Sequence, residues 1–306
     1  MALFLSMPGA IELGLLYALM ALGVYITFRI LDFPDLTVDG SFTTGAGIAA
    51  IMITNGYSPW IATLAAFGGG LAAGACTGLL HTKGKINGLL SGILMMIALY
   101  SINLRIMGKP NVSIMGMDTI FGGADPIWMG LIITLVVIVL LVLFLRTDVG
   151  MALRATGDNA RMIRSFGSNT DTTKILGIAL SNGLVALSGS LVVQQSSFAD
   201  MGMGIGMVVI GLASVIIGEA LLGSRYVWVA VVAAALGSII YRIIYALALQ
   251  VEWLETSDLK IITAVIVIIA LVVPASRRAV RQKYQAKKRT AELIASLTGG
   301  RTGGGR

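Results

Sequence analysis

The chain has 306 residues, of which 57% are hydrophobic and only 12% charged, a balance with too little polar surface to clothe a soluble globule. Apolar runs approach the roughly 20 residues that a helix needs to cross about 30 Å of hydrocarbon, and no strand-like alternation runs through them, so a helical membrane protein is expected rather than a β-barrel. The net charge of +7 owes much to the tail RRAVRQKYQAKKR at 277–289, which reads as topology and anionic-lipid attraction, not as a nucleic-acid interface.

In chain order, membrane segments are expected at 11–28, 41–54, 60–80, 87–104, 127–145, 172–193, 204–222, 227–249 and 259–273. The fold class is therefore all-α, a polytopic membrane protein with about nine transmembrane or partly spanning helices. The second segment is short and follows Asp32, Pro34, Asp35 and Asp39, so it reads as a broken helix. The start MALFLSMPG carries no Lys or Arg, against a cleaved signal peptide. Residues 1–276 form one membrane domain, and 277–306 form a basic cytoplasmic tail whose GGRTGGGR end is expected to be disordered.

With nine alternating segments, Arg29, Lys83, Lys85, Arg146, Arg154, Arg161, Arg164, Lys174, Arg225 and the tail fall on one side, against Arg105, Lys109 and Lys260 on the other. That other side collects Asp118, Asp125, Asp200, Glu252, Glu255 and Asp258. Cytoplasmic loops retain Lys and Arg, so the N-terminus is expected outside and the C-terminus inside.

Chemistry-bearing motifs are sparse. Cys76 and His81 are single, which excludes an internal disulfide and a Cys cluster for metal, and the loop HTKGK makes His81 a solvated residue. There is no Gly-x4-Gly-Lys-Ser/Thr loop, no HExxH, no GxSxG and no DDxxD run. No catalytic or metal site is expected.

Gly70, Gly74 and Gly78 recur once per turn on one face of the third segment, and Gly177, Ser181, Ser188, Gly189 and Ser190 repeat the idea in the sixth, with Asn182 near mid-membrane. Such spacing lets helices approach closely. Asp35 and Asp39, among Phe33, Pro34, Thr37, Gly40 and Ser41, carry ionisable groups to membrane depth, where the default reading is functional. They are candidates for a substrate pathway, with Thr37, Ser41 and Asn182. The structural alternative places Asp32, Asp35 and Asp39 at the cytoplasmic interface, solvated or paired with Arg29. Glu219, with Arg225 as candidate partner, reads as structural, and Arg242 is ambiguous.

The loop at 146–171 holds a charged island, RATGDNARMIRSFG, from Arg154 to Gly167. Arg154, Asp158 and Arg161 share a helical face, Asp158 is placed to cap a short helix starting at Asn159, and Gly167 to end it in the left-handed conformation. Asn169 to Asp171 start the next membrane helix. The expected product is a short surface helix presenting Arg161, Met162, Arg164 and Phe166 to a protein groove; an ordinary connecting loop is the alternative.

The element R154-A-T-G157-D-N159, followed by G167-S-N-T and a small-residue helix, resembles the coupling loop of permease subunits in bacterial ABC importers of the branched-chain amino-acid and ribose permease family. The run D35-L-T-V-D39-G40-S41, followed by T43-T-G45-A-G47, is similar to an element that those permeases place after an early membrane helix. The resemblance extends from about Ile11 to Pro274. It implies a multi-pass subunit of the bacterial plasma (inner) membrane, not itself an enzyme, that pairs with a second permease copy, most simply as a homodimer. It implies two cytoplasmic ATPase subunits, which bind the ATP and Mg, an extracytoplasmic substrate-binding protein, and no cofactor in this chain. Arg154, Gly157, Asp158, Asn159, Arg161, Arg164, Phe166 and Gly167 are then the ATPase-coupling residues. The Pro-Asp-Leu-Thr-Val-Asp-Gly-Ser version and short N-terminus look like an amino-acid branch, aromatic amino acids included, with a sugar or nucleoside left open. An ion-coupled secondary transporter is the alternative, which Asp35 and Asp39 in a broken helix would suit.

Overall fold

A computed structural model describes residues 2–123, 125–167, 169–223 and 225–249, with 261, 264, 265, 267, 268 and 272. The expected segment at 259–273 lies largely, and the tail at 277–306 wholly, outside the described residues, as do Lys260, Glu252, Glu255 and Asp258.

Among the described residues the chain is all-α apart from one small sheet. Helix α1 (Ala2–Val24) runs into a π-helical turn, Tyr25–Ile30, and is followed by α2 (Thr37–Thr54), α3 (Pro59–Thr82), α4 (Gly88–Met107), α5 (Pro126–Arg146), α6 (Asp148–Ser165), α7 (Thr170–Ser196), α8 (Met207–Leu222) and α9 (Val227–Ala248). Local signals set many of these ends. Pro59 and Pro126 open α3 and α5, where a missing N–H costs nothing. Asn87 caps α4 by accepting from Leu89 N, and Gly108 closes it at φ 68°. Strands β1 (Asn111–Ser113) and β2 (Phe198–Asp200) pair antiparallel, Val112 opposite Ala199.

Six of the described spans are long and apolar enough to cross a membrane: Met7–Ile30, Pro59–Thr82, Gly88–Met107, Pro126–Arg146, Thr170–Ser196 and Val227–Ala248. Helix α8 is shorter, and α2 is of another kind. Its Thr37, Ser41, Thr43, Thr44, Gly45 and Gly47 are buried along with Val38, Phe42 and Ala46, so it is a polar helix wrapped by α3, α4 and α7. The break expected within the second segment is corrected by the structure. Helix α2 is continuous, and the irregular backbone is the turn before it, where Asp32 takes φ 50°.

Lipid offers no hydrophobic gain for helix association, so close packing and interhelical hydrogen bonds must hold the bundle. The carbonyls of α1 serve as a spine. Ser181 Oγ of α7 donates to Gly23 O (2.6 Å), Ser188 Oγ to Leu16 O (2.8 Å), Ser238 Oγ of α9 to Gly14 O (2.7 Å) and Thr134 Oγ1 of α5 to Leu15 O (2.9 Å). Each such bond contributes about 0.5–2 kcal/mol in a membrane protein. On α3, a Cβ at Gly70 or Gly74 would run into the backbone of α7 at Asn182 O or Ile178 O. The expected glycine face is thus the seam between α3 and α7. Lipid-type side chains lie outside, among them Trp60 and Leu64 on α3 and Leu135, Leu140 and Leu143 on α5.

The bundle has two distinct ends. At one, β1 and β2 follow α4 and α7. At the other, the C-terminal turn of α3 brings His81 to Phe33 and Lys174, and α6 packs on the π-turn through Gly157, whose absent Cβ admits the Ile30 carbonyl.

Candidate functional site

The five residues singled out for a pathway divide into two sets. Asp35, Thr37, Ser41 and Asn182 are each at most 4% exposed and belong to one buried network between α2, α3 and α7. Asp35 Oδ1 accepts from Thr37 N (2.9 Å), so it satisfies a free donor in the first turn of α2, and Oδ2 accepts from Asn182 Nδ2 (2.7 Å). Asn182 Oδ1 in turn accepts from Ser41 Oγ (2.7 Å), while its Nδ2 also donates to Ile178 O (3.0 Å). Thr37 Oγ1 and Thr77 Oγ1 of α3 share a 2.8 Å hydrogen bond. Each Asp35 oxygen thus has a hydrogen-bond donor, as a buried polar group requires. These four side chains face packed protein.

Asp39 stands apart. Its Oδ2 accepts from Gly206 N and its Oδ1 from Val208 N, both at 2.9 Å. Gly206, at φ 86°, offers no side chain to cap α8, so a carboxylate from α2 does so and complements the positive end of the helix. Asp39 also borders a cleft of about 530 Å³ with Thr43, Tyr100, Ser101, Asn103 and Met201. Asn103 fixes one wall, accepting from Thr44 Oγ1 (2.8 Å) and donating to Gly40 O (3.1 Å). A cleft with one acidic edge and an apolar, aromatic wall suits a small solute with a polar end and an apolar end.

The coupling candidates lie at the opposite end from the sheet. Helix α6 starts at Asp148 under a Thr147 cap and is longer than expected. It kinks at Asn159 (φ −157°, ψ 86°), whose Oδ1 accepts from Met162 N (3.0 Å). Asn159 therefore caps the second piece, which corrects the assignment of that role to Asp158. Gly167 does take the left-handed conformation, its N–H donating to Arg164 O, and Asn169 caps α7.

Gly157 is a packing residue, Arg154 is half-buried, and Asp158 and Asn159 are exposed. Arg164 is committed locally, Nε donating to Thr170 Oγ1 (2.7 Å) and Nη2 lying 3.5 Å from Asp171 Oδ1. Arg161, Met162 and Phe166 form the exposed remainder, Phe166 at 78%. Together they present a mixed apolar and cationic surface at this end of the bundle.

Comparison with known proteins gives this architecture a family. The model of the branched-chain amino acid transport system permease component matches residues 8–272. The chain belongs to that permease family. A tyrosine transport system permease protein of Clostridioides difficile is 49% identical over 256 residues, 83% of this chain and 86% of that protein. An uncharacterized protein of Rickettsia prowazekii is 33% identical over 86% of this chain and 95% of its own length. A ribose import permease protein of Escherichia coli is more distant, 26% identical over 66% of this chain and 65% of that protein. No solved structure matches the chain.

In this permease the partners of several interior polar residues are not evident from the sequence. Glu219 pairs with Arg29 at 2.8 Å, not with Arg225, and this leaves Arg29 engaged away from the three early aspartates. Gln194 donates to Thr63 Oγ1 (2.8 Å) and accepts from Ile120 N (3.2 Å), tying α7 to α3 and to the loop around Ile120. Arg242 lies over the Tyr17 ring at 4.2 Å, a cation–π contact within the bundle. For Asn103 the available signal is an amide alone in an apolar helix; for Gln194 it is the Gln194–Gln195 pair that ends the apolar run of α7. Among the described residues, no group of three or more His, Cys, Asp or Glu is gathered to hold a metal ion.

Proposed function

We propose that this permease is the membrane subunit of a binding-protein-dependent ABC importer that carries an amino acid, in particular one with an aromatic side chain, into the bacterial cytoplasm. The observation that carries the reading is the 49% identity to a tyrosine transport system permease over most of both chains. The cleft is compatible with it, since Tyr100, Met96 and Ile97 offer apolar surface beside Asp39, Ser101 and Asn103. Two copies of the chain form the pathway between them, two ATPase subunits bind ATP and Mg, and an extracytoplasmic protein delivers substrate. The Arg161, Met162 and Phe166 patch seats in the ATPase, and closure of the ATPases tilts the helices between inward-open and outward-open states. Orientation rests on charge. Arg29, Lys83, Lys85, Arg146, Arg154, Arg161, Arg164, Lys174 and Arg225 mark the α6 end as cytoplasmic, against Arg105 and Lys109 at the other.

Purification in mild detergent tests the assembly. An ATPase should co-purify, and in proteoliposomes uptake of tyrosine should require ATP and the binding protein. Uptake that follows an ion gradient, without ATP, would replace this reading with a secondary transporter.

A further inference from the structure

A polar pocket of about 430 Å³ sits at the α6 end of the bundle, between the α3–α4 connection and the start of α7, lined by His81, Lys85, Asn87, Arg164, Asp171 and Lys174. Its charge is unbalanced. Asp171 is the single carboxylate in the lining, and Arg164 already reaches toward it. Lys85 and Lys174 have no carboxylate partner among the described residues.

The pocket is built from fixed parts. His81 Nδ1 lies 2.9 Å from Ile86 O, and its Nε2 lies 3.5 Å from Lys174 Nζ. The ring is held on its other side by Phe33, edge to face at 5.0 Å. Lys85 is kept at φ 54°, a conformation unfavourable for a residue with a Cβ. Helices α4 and α7 both begin at this pocket, behind Asn87 and Asn169, so two positive helix ends add to the lysines and the arginine.

One helical turn along α3 from Thr82 is Leu79, and one and two turns along α4 from Asn87 are Leu90 and Leu94; all three leucines are exposed. The cationic pocket thus lies at the foot of an apolar wall. That arrangement matches a molecule with a phosphate at one end and hydrocarbon at the other.

We propose that this pocket is a phosphate-binding site, held by Lys85 and Lys174 with Arg164 at its edge, and filled by the headgroup of an anionic phospholipid or by free phosphate. Arg164 joins the second piece of α6 to α7, so an occupant would stiffen the junction behind the exposed Phe166. The binding itself does not depend on the transport reading.

The purified full chain is placed in nanodiscs of phosphatidylcholine with or without phosphatidylglycerol, and retained lipid is counted by native mass spectrometry after transfer to detergent. Inorganic phosphate binding is measured in the phosphatidylcholine discs. Preferential retention of phosphatidylglycerol, weakened at least about tenfold in Lys85→Gln/Lys174→Gln, supports the site with a lipid source. Phosphate binding with the same dependence supports it with a soluble source. Lys85→Arg, which keeps the charge, should bind as the parent does, and Lys83→Gln, which removes a charge from the same loop outside the pocket, should change nothing. Absence of both kinds of binding overturns the proposal, and so does an equal loss in Lys83→Gln.

Discussion

Asn182 donates to the Asp35 carboxylate at 2.7 Å, joining the middle of α7 to the turn that starts α2. Asn182→Ala removes the donor to Asp35 and the acceptor of Ser41 Oγ together, and leaves both groups buried. The expected cost is about 2–4 kcal/mol, the desolvation of two orphaned partners. In Asp35→Asn one of the two donors, Thr37 N or Asn182 Nδ2, must face an amide NH2. Loss of uptake in both variants should therefore track loss of folded protein, measured as thermal unfolding in detergent. Full retention of the folded protein with uptake abolished would move these residues from the scaffold to the pathway.

Arg29 and Glu219 make the corresponding link between the end of α1 and α8. The Glu219 side chain is 7% exposed but the Arg29 side chain is 48% exposed, so solvent screens the pair from one side and its net worth is modest. Arg29→Met should still destabilise by about 1–3 kcal/mol, because it strands a buried carboxylate. Adding Glu219→Leu should recover most of that. A double-mutant cycle on the unfolding midpoint reads the difference, and simple additivity would show that the contact carries no coupling.

Orientation is open to chemical labelling. With Cys76 first replaced by Ala, a cysteine at Phe198, beside the small sheet, should react from outside intact cells with an impermeant thiol reagent, and one at Phe166 should not. Both native residues are exposed, so access to water is not the limit. Labelling of the Phe166 position from outside would invert the topology and end the coupling assignment.

Helix positions were legible because a span of lipid demands a long apolar run, and that demand is written locally. The Gly70–Gly74–Gly78 face, the Gly167 stop and the Asn169 cap are local too, since a helical turn or a cap needs only neighbours in sequence. What stayed hidden was which element a polar residue meets. The partner of Asp35 is 147 positions away, that of Arg29 is 190, and Asp39 caps a helix 167 residues on. Helix α2 shows the same limit. Pro34 and the aspartates around it pointed to a broken helix, whereas the irregular backbone ends before Thr37 and the small and polar residues that follow are those of an intact helix enclosed on most sides.

Asp39 joins structure to the cleft, so two substitutions there should separate. Asp39→Asn keeps one acceptor for the first turn of α8 and should cost about 1 kcal/mol or less; Asp39→Ala removes the cap and should cost about 1–2 kcal/mol. Because Asp39 also edges the cleft, uptake by Asp39→Asn should fall further than its folded fraction does. The check is transport per folded molecule, with folded protein quantified by size-exclusion chromatography. An Asp39→Asn variant with parental transport per molecule would leave Asp39 only its capping role.

The coupling surface can be tested by three changes that the structure predicts will behave differently. Arg161 is exposed on the second piece of α6, so Arg161→Glu should leave folding within about 0.5 kcal/mol of the parent while reversing the charge offered to the ATPase. Arg164 holds Thr170 and Asp171, and its replacement by Glu would set two carboxylates together, so it should loosen the α6–α7 junction. Gly157 meets the Ile30 carbonyl, and Gly157→Leu should push α6 off the π-turn and unfold that end of the bundle. Limited proteolysis between α5 and α7 reads the two structural effects, and ATPase activity of the assembled complex reads the third. Arg161→Glu is expected to resist protease as the parent does and yet to lose substrate-stimulated ATP hydrolysis. Normal stimulation in Arg161→Glu, with normal assembly, would show that the ATPase docks elsewhere.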